Sequence, residues 1–171
     1  MAEKDLRTTH RTFVSYIDRT REYYAAQGYE APYRWAHFRD APFAKLGKPL
    51  AECTVALVTT ARPLGERTAP DAVRGAADQV WSAAVEPAPQ RLLTDHLAWD
   101  KEATHTDDVD SFLPIQALRA CADAGRIAVV ADRFHSVPTD YSQRRTREQD
   151  APELLRRCRA DGADAALLVP L

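Results

Sequence analysis

The chain has 171 residues, and its 23 Lys and Arg nearly balance its 25 Asp and Glu, for a formal net charge of -2. The length predicts one globular domain with a short appended segment, and the balanced charge argues against a nucleic-acid-binding protein. No apolar run approaches the ~20 residues of a membrane span, and no apolar secretory signal follows the charged N-terminus. Three unevenly spaced cysteines fit reduced thiols better than a disulfide framework. We expect a soluble, cytoplasmic protein.

The N-terminal part is predicted to be a helix followed by an aromatic arm. Apolar and aromatic side chains recur at helical steps over residues 9–27, and Gly28 can end the helix. The aromatic arm, residues 29–50, carries rings without any period: Tyr29, Tyr33, Trp35, Phe38 and Phe43. We expect these rings to be largely buried, against the chain's own core or a partner chain. The predicted domains are residues 1–50, the helix and arm, and residues 51–171.

The second part is predicted to be an α/β domain. Short apolar runs predict strands over residues 54–60, 80–85, 91–94, 127–131 and 165–169. A helix is predicted over residues 113–124, and a second one follows Asp150 and Glu153, whose spacing suits a capping box. Strands that alternate with helices favour a small, mostly parallel, Rossmann-like sheet flanked by helices.

In an open parallel sheet, ligands bind beyond the carboxyl ends of the strands. Thr59 and Thr60 end the first predicted strand, and Asp132 and Arg133 follow the fourth. We expect these four residues to bind substrate. His135, in the same segment, could act as a general acid or base because the unperturbed imidazole pKa lies near neutrality, and the alternative is a hydrogen-bonded structural histidine.

The acidic segment over residues 95–110 offers a second group of candidates. His96 and Asp100 are predicted to lie near His135 at the carboxyl edge of the sheet and to share its catalytic role. A metal site formed by His96, Asp100 and His105 is an alternative hypothesis. We favour a solvated loop whose aspartates serve turns and caps, and expect no bound metal. No phosphate-binding loop follows the first strand, so no cofactor is expected either.

The three thiols are predicted to be inert. Cys53 opens a buried strand, and Cys121 and Cys158 lie on or beside apolar helix faces. None belongs to a C-x-x-C arrangement, which lowers a thiol pKa and supplies a resolving partner. We expect no thiol-based redox turnover from these residues.

Several separated stretches of residues 52–171 resemble stretches of one protein family, and they occur in the same order as in that family. They are TVALVTTA, DQVWSAAVEP, TDHLAWD, SFLPIQALRACADAGRIAVVA and APELLRRCRADGADAALLVP, the last being the nearest match. Together they resemble the selenoprotein B family of glycine, sarcosine and betaine reductases, which includes the proline reductase small subunit. Two departures are Asp95, where the family has serine, and Leu113, where it has phenylalanine. The glycine-rich loop that follows the family's histidine near position 135 is also absent.

The resemblance implies reductive cleavage of a C–N bond by a selenocysteine or cysteine in a U/C-x-x-C segment. In the family that segment directly follows the strand that matches residues 165–169. The present sequence ends at Leu171, before any such segment. We therefore expect the 171 residues alone to be inactive, either because the chemistry was lost or because a UGA codon for selenocysteine was taken as a stop.

The leading hypothesis is thus a reductase-family protein related to the substrate-reducing subunit, acting on a small molecule such as glycine, sarcosine, betaine or proline. One alternative is a non-catalytic binding or assembly subunit in a homo- or hetero-oligomer. The metal-dependent enzyme described above is the other. Neither nucleic acid nor a membrane is an expected partner.

Overall fold

A computed structural model describes residues 16–29, 31, 36–40, 44–63, 79–94, 105–139 and 142–171. The chain divides into two compact units, Met1–Ala41 and Pro42–Leu171. The second unit is a mixed α/β structure that contains all of the described strands.

In the first unit, helix α1 spans Tyr16–Ala26. It ends where Gly28 adopts a φ of +85°, a conformation that glycine takes at little steric cost. Two rings of the predicted arm fall within the described residues, and both are exposed within this chain: Tyr29 by 64% and Phe38 by 72%. Burial of these two rings inside the chain is therefore not observed. Tyr33, Trp35 and Phe43 lie outside the described residues.

The second unit is built on a four-stranded sheet with the order β3-β5-β1-β6. Its strands are β1 (Thr54–Thr59), β3 (Trp81–Ala84), β5 (Val129–Ser136) and β6 (Ala165–Val169). β5 and β6 pair with β1 in parallel, whereas β3 pairs with β5 in the antiparallel sense. β2 (Arg62–Pro63) and β4 (Leu92–Leu93) form a separate two-stranded ladder.

The central strand β1 is buried on both faces, as its continuous apolar sequence predicts. On one face, Leu57 and Phe134 pack with Ile115 of helix α2 (Ile115–Asp123). On the other face, Ala56 and Ala131 pack with Cys158 of helix α4 (Ala151–Ala160). The sheet is therefore a middle layer with a helix on each side, and the α2 side holds the larger apolar cluster.

The segment before α4 differs from the prediction. A short helix α3 (Gln143–Arg145) leads through a π-helical turn (Thr146–Asp150) directly into α4. Asp150 has helical dihedral angles and is 4% exposed, so it does not cap α4. The cap lies upstream instead, where the Ser142 hydroxyl accepts a hydrogen bond from the amide of Arg145.

The fourth predicted strand, residues 127–131, also differs from the structure, since β5 begins at Val129 and continues to Ser136. Asp132, Arg133 and His135 therefore lie within the strand rather than in a loop after it. Polar residues are tolerated there because side chains alternate between the two faces of a strand and polar partners meet them. Phe134 belongs to the cluster on the α2 side, and Ala131 to the one on the α4 side.

β6 forms one edge of the sheet and is anchored at its start by Asp164. The Asp164 carboxylate accepts a hydrogen bond from the Thr54 amide at 2.8 Å and pairs with Lys48 at 2.7 Å. Lys48 and that amide hold the pKa of Asp164 below its usual range. Within the described part of the chain, no helix has the length and apolar character needed to cross a bilayer.

Candidate functional site

Three buried polar residues meet at the carboxyl ends of two parallel strands. Thr59 ends β1, and its register partner on β5 is Ser136, preceded by His135. None of the three is exposed by more than 1%. Buried polar side chains cost free energy unless they are satisfied, so their concentration at this edge calls for an explanation.

The hydrogen-bonding groups of Thr59 and Ser136 are satisfied to different degrees. The Thr59 hydroxyl accepts a hydrogen bond from the amide of Ala61 at 3.3 Å. The Ser136 hydroxyl has no hydrogen-bond partner among the described residues. A buried hydroxyl without a partner indicates a place where a ligand or an ordered water can donate or accept a hydrogen bond.

The end of β6 is attached to the same edge through Thr60. Its hydroxyl accepts a hydrogen bond from the Leu171 amide at 2.9 Å and donates one to the Leu171 carbonyl at 3.2 Å. The carboxyl edge, comprising Thr59, Thr60, Ser136 and Leu171, thus brings three parallel strands to one place.

His135 belongs to a second polar group, which lies under α4. Its Nδ1 atom is 2.8 Å from the hydroxyl of Ser82, the residue opposite it on β3. The same hydroxyl accepts a hydrogen bond from Nη1 of Arg157 on α4 at 2.8 Å. Helix α4 is in this way hydrogen-bonded to the edge strand β3 through a single serine.

On the other side of the ring, His135 Nε2 lies 3.2 Å from Oδ2 of Asp161. That distance suits an ion pair, although the contact lacks the alignment of a hydrogen bond. Asp161 follows α4 and is held by two hydrogen bonds from Nε of Arg133, at 3.0 and 3.3 Å, and by a third from its Nη2. Burial outweighs the attraction of Asp161 and lowers the pKa of His135 below its usual value.

Glu153 completes this group at the first turn of α4. It accepts hydrogen bonds from Arg156 at 2.7 Å and from Nε of Arg157 at 2.6 Å. These two guanidinium groups lower the pKa of Glu153 to about 2. We call the connected residues the α4 polar network: Ser82, Arg133, His135, Glu153, Arg156, Arg157 and Asp161.

The predicted site residues are distributed between the two groups. Thr59 and Thr60 lie at the carboxyl edge, as expected. Arg133 and His135 belong to the α4 polar network. Asp132 precedes them in β5 and is exposed, and its backbone carbonyl accepts a hydrogen bond from the Val85 amide. His96 and Asp100 lie outside the described residues, so their predicted approach to His135 stays a prediction.

Sequence reasoning did not single out Ser82, Arg157 or Asp161. Ser82 and His135 are 53 positions apart and meet only because β3 pairs with β5 in an antiparallel register. No local motif carries that information. The one usable signal was a serine inside an otherwise apolar strand.

The metal and thiol hypotheses concern other residues. His105 is exposed, with Asp107 3.8 Å from its Nδ1 atom, and no group of three possible ligands occurs in the described ranges. Cys53 and Cys158 are buried, and burial raises the pKa of Cys158. Cys121 is half-buried beside the apolar cluster on the α2 side.

No family model matches the sequence, and no curated protein or solved structure matches it significantly. The resemblance to the selenoprotein B reductases therefore rests on the ordered motifs alone.

Proposed function

We propose that this chain provides the substrate-binding α/β domain of a reductase related to the selenoprotein B family. It would hold a small amino acid or N-methylated amino acid, of the glycine, sarcosine, betaine or proline type, for cleavage of the C–N bond. The sheet would be Rossmann-like in its parallel part, with substrate at the carboxyl edge.

The Ser136 hydroxyl, which has no hydrogen-bond partner among the described residues, is the observation that carries this proposal. It lies beside Thr59, at the point where parallel sheets bind ligands. A hydroxyl can donate to a substrate carboxylate or accept from a substrate ammonium group. His96, Asp100 and His135 remain the proposed catalytic residues.

The redox centre would come from a selenol or thiol outside these 171 residues. Cys53 and Cys158 do not suit that role, because both are buried and a thiolate is disfavoured in a low dielectric. The chain alone is therefore expected to bind substrate without turning it over. Its free thiols also favour a cytoplasmic location.

Isothermal titration calorimetry of the 171-residue chain with the four amino acids tests the proposal. We expect at least one to bind, and Ser136→Ala to weaken that binding by roughly 10-fold, the equivalent of one hydrogen bond of about 1.4 kcal/mol. Ser111→Ala, which changes an exposed serine elsewhere, should leave binding unchanged. Absence of binding by all four ligands, or equal affinity in Ser136→Ala, would contradict the proposal.

A non-catalytic assembly role is the second candidate, and it is favoured by the β6 edge. Among the described strands β6 pairs only with β1, while Leu167 and Leu168 are 41% and 64% exposed. An edge strand with open backbone groups and apolar side chains is a template for another chain. Sedimentation analysis should then show an oligomer that Leu168→Lys dissociates, and a monomeric wild-type chain that also captures no partner strand would contradict this role.

A further inference from the structure

Ser82, His135 and Asp161 form an ordered set, and the resemblance points to only one of its members, His135. The Ser82 hydroxyl is 2.8 Å from His135 Nδ1, and His135 Nε2 is 3.2 Å from Asp161. A hydroxyl, an imidazole and a carboxylate in this sequence are the components of a nucleophile activated by a general base.

The direction of the hydrogen bonds follows from Arg157 and Asp161 together. A guanidinium group can only donate, so the Ser82 hydroxyl accepts from Arg157 and its own hydrogen is free to point at His135. In a neutral ring the hydrogen is favoured on Nε2, because that atom faces the Asp161 carboxylate, which can only accept. Nδ1 is then unprotonated and accepts the hydrogen bond of the Ser82 hydroxyl. This is the tautomer in which a histidine can take the proton of the serine.

The supporting groups are held in place. Arg133 fixes the Asp161 carboxylate with three hydrogen bonds, and Glu153 fixes Arg157. Burial keeps His135 neutral at neutral pH, as a base must be. The imperfect alignment of Nε2 with Asp161 is typical of catalytic hydrogen bonds before a substrate is bound.

We propose that Ser82 is a nucleophile for acyl transfer from small esters, with His135 as its general base and Arg157 beside the reacting oxygen. Ser82 is half-buried on the edge strand β3, whereas His135 is fully buried. Of these two residues, Ser82 is therefore the one with surface that a small ester can contact.

In the first step, Ser82 Oγ bonds to the ester carbonyl carbon as its proton passes to His135 Nδ1, and the carbonyl π electrons move onto the carbonyl oxygen. The carbonyl double bond re-forms as the ester C–O bond breaks, and the alcohol leaves with that proton. Water cleaves the acyl-serine by the same route, releasing a carboxylic acid and restoring the Ser82 hydroxyl. The Arg157 cation, whose Nη1 atom is 2.8 Å from Ser82 Oγ, would stabilise the negative charge that develops on the neighbouring carbonyl oxygen in both steps.

The test is labelling of the folded wild-type chain by a fluorophosphonate, with the modified residue located by peptide mass spectrometry. We expect an adduct on Ser82 whose rate rises with pH and reaches a plateau once His135 is neutral. Ser111 is the matched control, because it is an exposed serine whose hydroxyl donates a hydrogen bond to the Asp108 carbonyl and has neither a histidine nor an arginine partner in the described part of the chain. If the labelling rate depended on exposure alone, Ser111 would react faster than Ser82.

His135→Gln should slow the labelling of Ser82 by about 10²-fold or more, the usual contribution of a general base. Circular dichroism checks that this variant is folded. If it is not folded, the pH dependence of Ser82 labelling in the wild-type chain tests the role of His135 instead. Failure of the folded wild-type chain to label at Ser82, a rate on Ser111 equal to that on Ser82, or a pH-independent rate would overturn the proposal. Because none of these readouts involves amino-acid binding, they are separate from the test of the proposed function.

Discussion

Burial holds the pKa of the His135 imidazole below its ordinary value of 6.5. In the unfolded chain the same ring takes up a proton near that pH, so acid favours the unfolded state. The free energy of unfolding should therefore fall as the pH is lowered from about 7 through 6.5, and this loss should continue until the folded protein is also protonated. The slope for one proton is at most about 1.4 kcal/mol per pH unit. Urea unfolding between pH 5 and 7 measures it.

The matched comparison for this prediction is His105, which is exposed. His135→Gln should flatten the pH dependence of stability between pH 5 and 7, while His105→Gln should leave it unchanged. An equal slope in the wild type and in His135→Gln would mean that another group causes the acid sensitivity.

Thiol reactivity follows from burial in the same way. Cys53 and Cys158 should react slowly with iodoacetamide at neutral pH and rapidly after denaturation, since neither is exposed and burial raises the pKa of Cys158. Mass spectrometry of each cysteine peptide over time provides the measurement. Rapid labelling of either residue in the folded protein would contradict the placement of that thiol in the core.

For single residues, the sequence predicted where a residue lies along a strand better than it predicted which side chains that residue contacts. Thr59 and Thr60 could be placed because a buried strand and its carboxyl end are both visible in the local pattern. The environment of His135 could not, because Ser82 and Asp161 reach it only through strand pairing and the turn after α4. Contacts between distant segments leave no local signal.

Helix α4 packs on the sheet through small side chains. Ala56 is fully buried beneath Cys158 and half-buried Leu154, so the helix lies close to β1. Ala56→Leu should destabilise the protein by about 1–3 kcal/mol, because the extra volume pushes α4 off the sheet. Thermal or urea unfolding would show the change.

Ala166 is the matched control, since it is the register partner of Ala56 on β6 and is exposed. Ala166→Leu should change the free energy of unfolding by no more than about 0.5 kcal/mol. Equal destabilisation by the two substitutions would mean that the space under α4 does not limit the packing.

Helices and strands that carry one clear sequence pattern were predicted well. β1 and β6 agree with continuous apolar runs, and α2 with helical spacing that ends at Gly125. β5 extends beyond its predicted end because Asp132, Arg133 and His135 interrupt the apolar pattern. Their polar groups find partners in distant parts of the chain, as Arg133 does in Asp161. Strand propensity does not take such tertiary contacts into account.

For the molecule as a whole, strand direction determines which residues can act together. The parallel register of β1 with β5 and β6 brings Thr59, Thr60, Ser136 and Leu171 to one edge. The antiparallel β3 instead places Ser82 beside His135 under α4. The sequence predicted the parallel core, but the direction of β3 could not be deduced, because no clear helix separates it from β1.

Chemical-shift mapping of the 171-residue chain with glycine, sarcosine, betaine and proline tests most directly whether the carboxyl edge binds substrate. Saturable shifts should centre on the amides of Thr59, Thr60, Ser136 and Leu171, and should be weak at Ala165, which pairs with Val55 at the opposite end of the parallel strands. Shifts confined to other surfaces, or no saturable shift with any of the four ligands, would contradict the assignment of the substrate site.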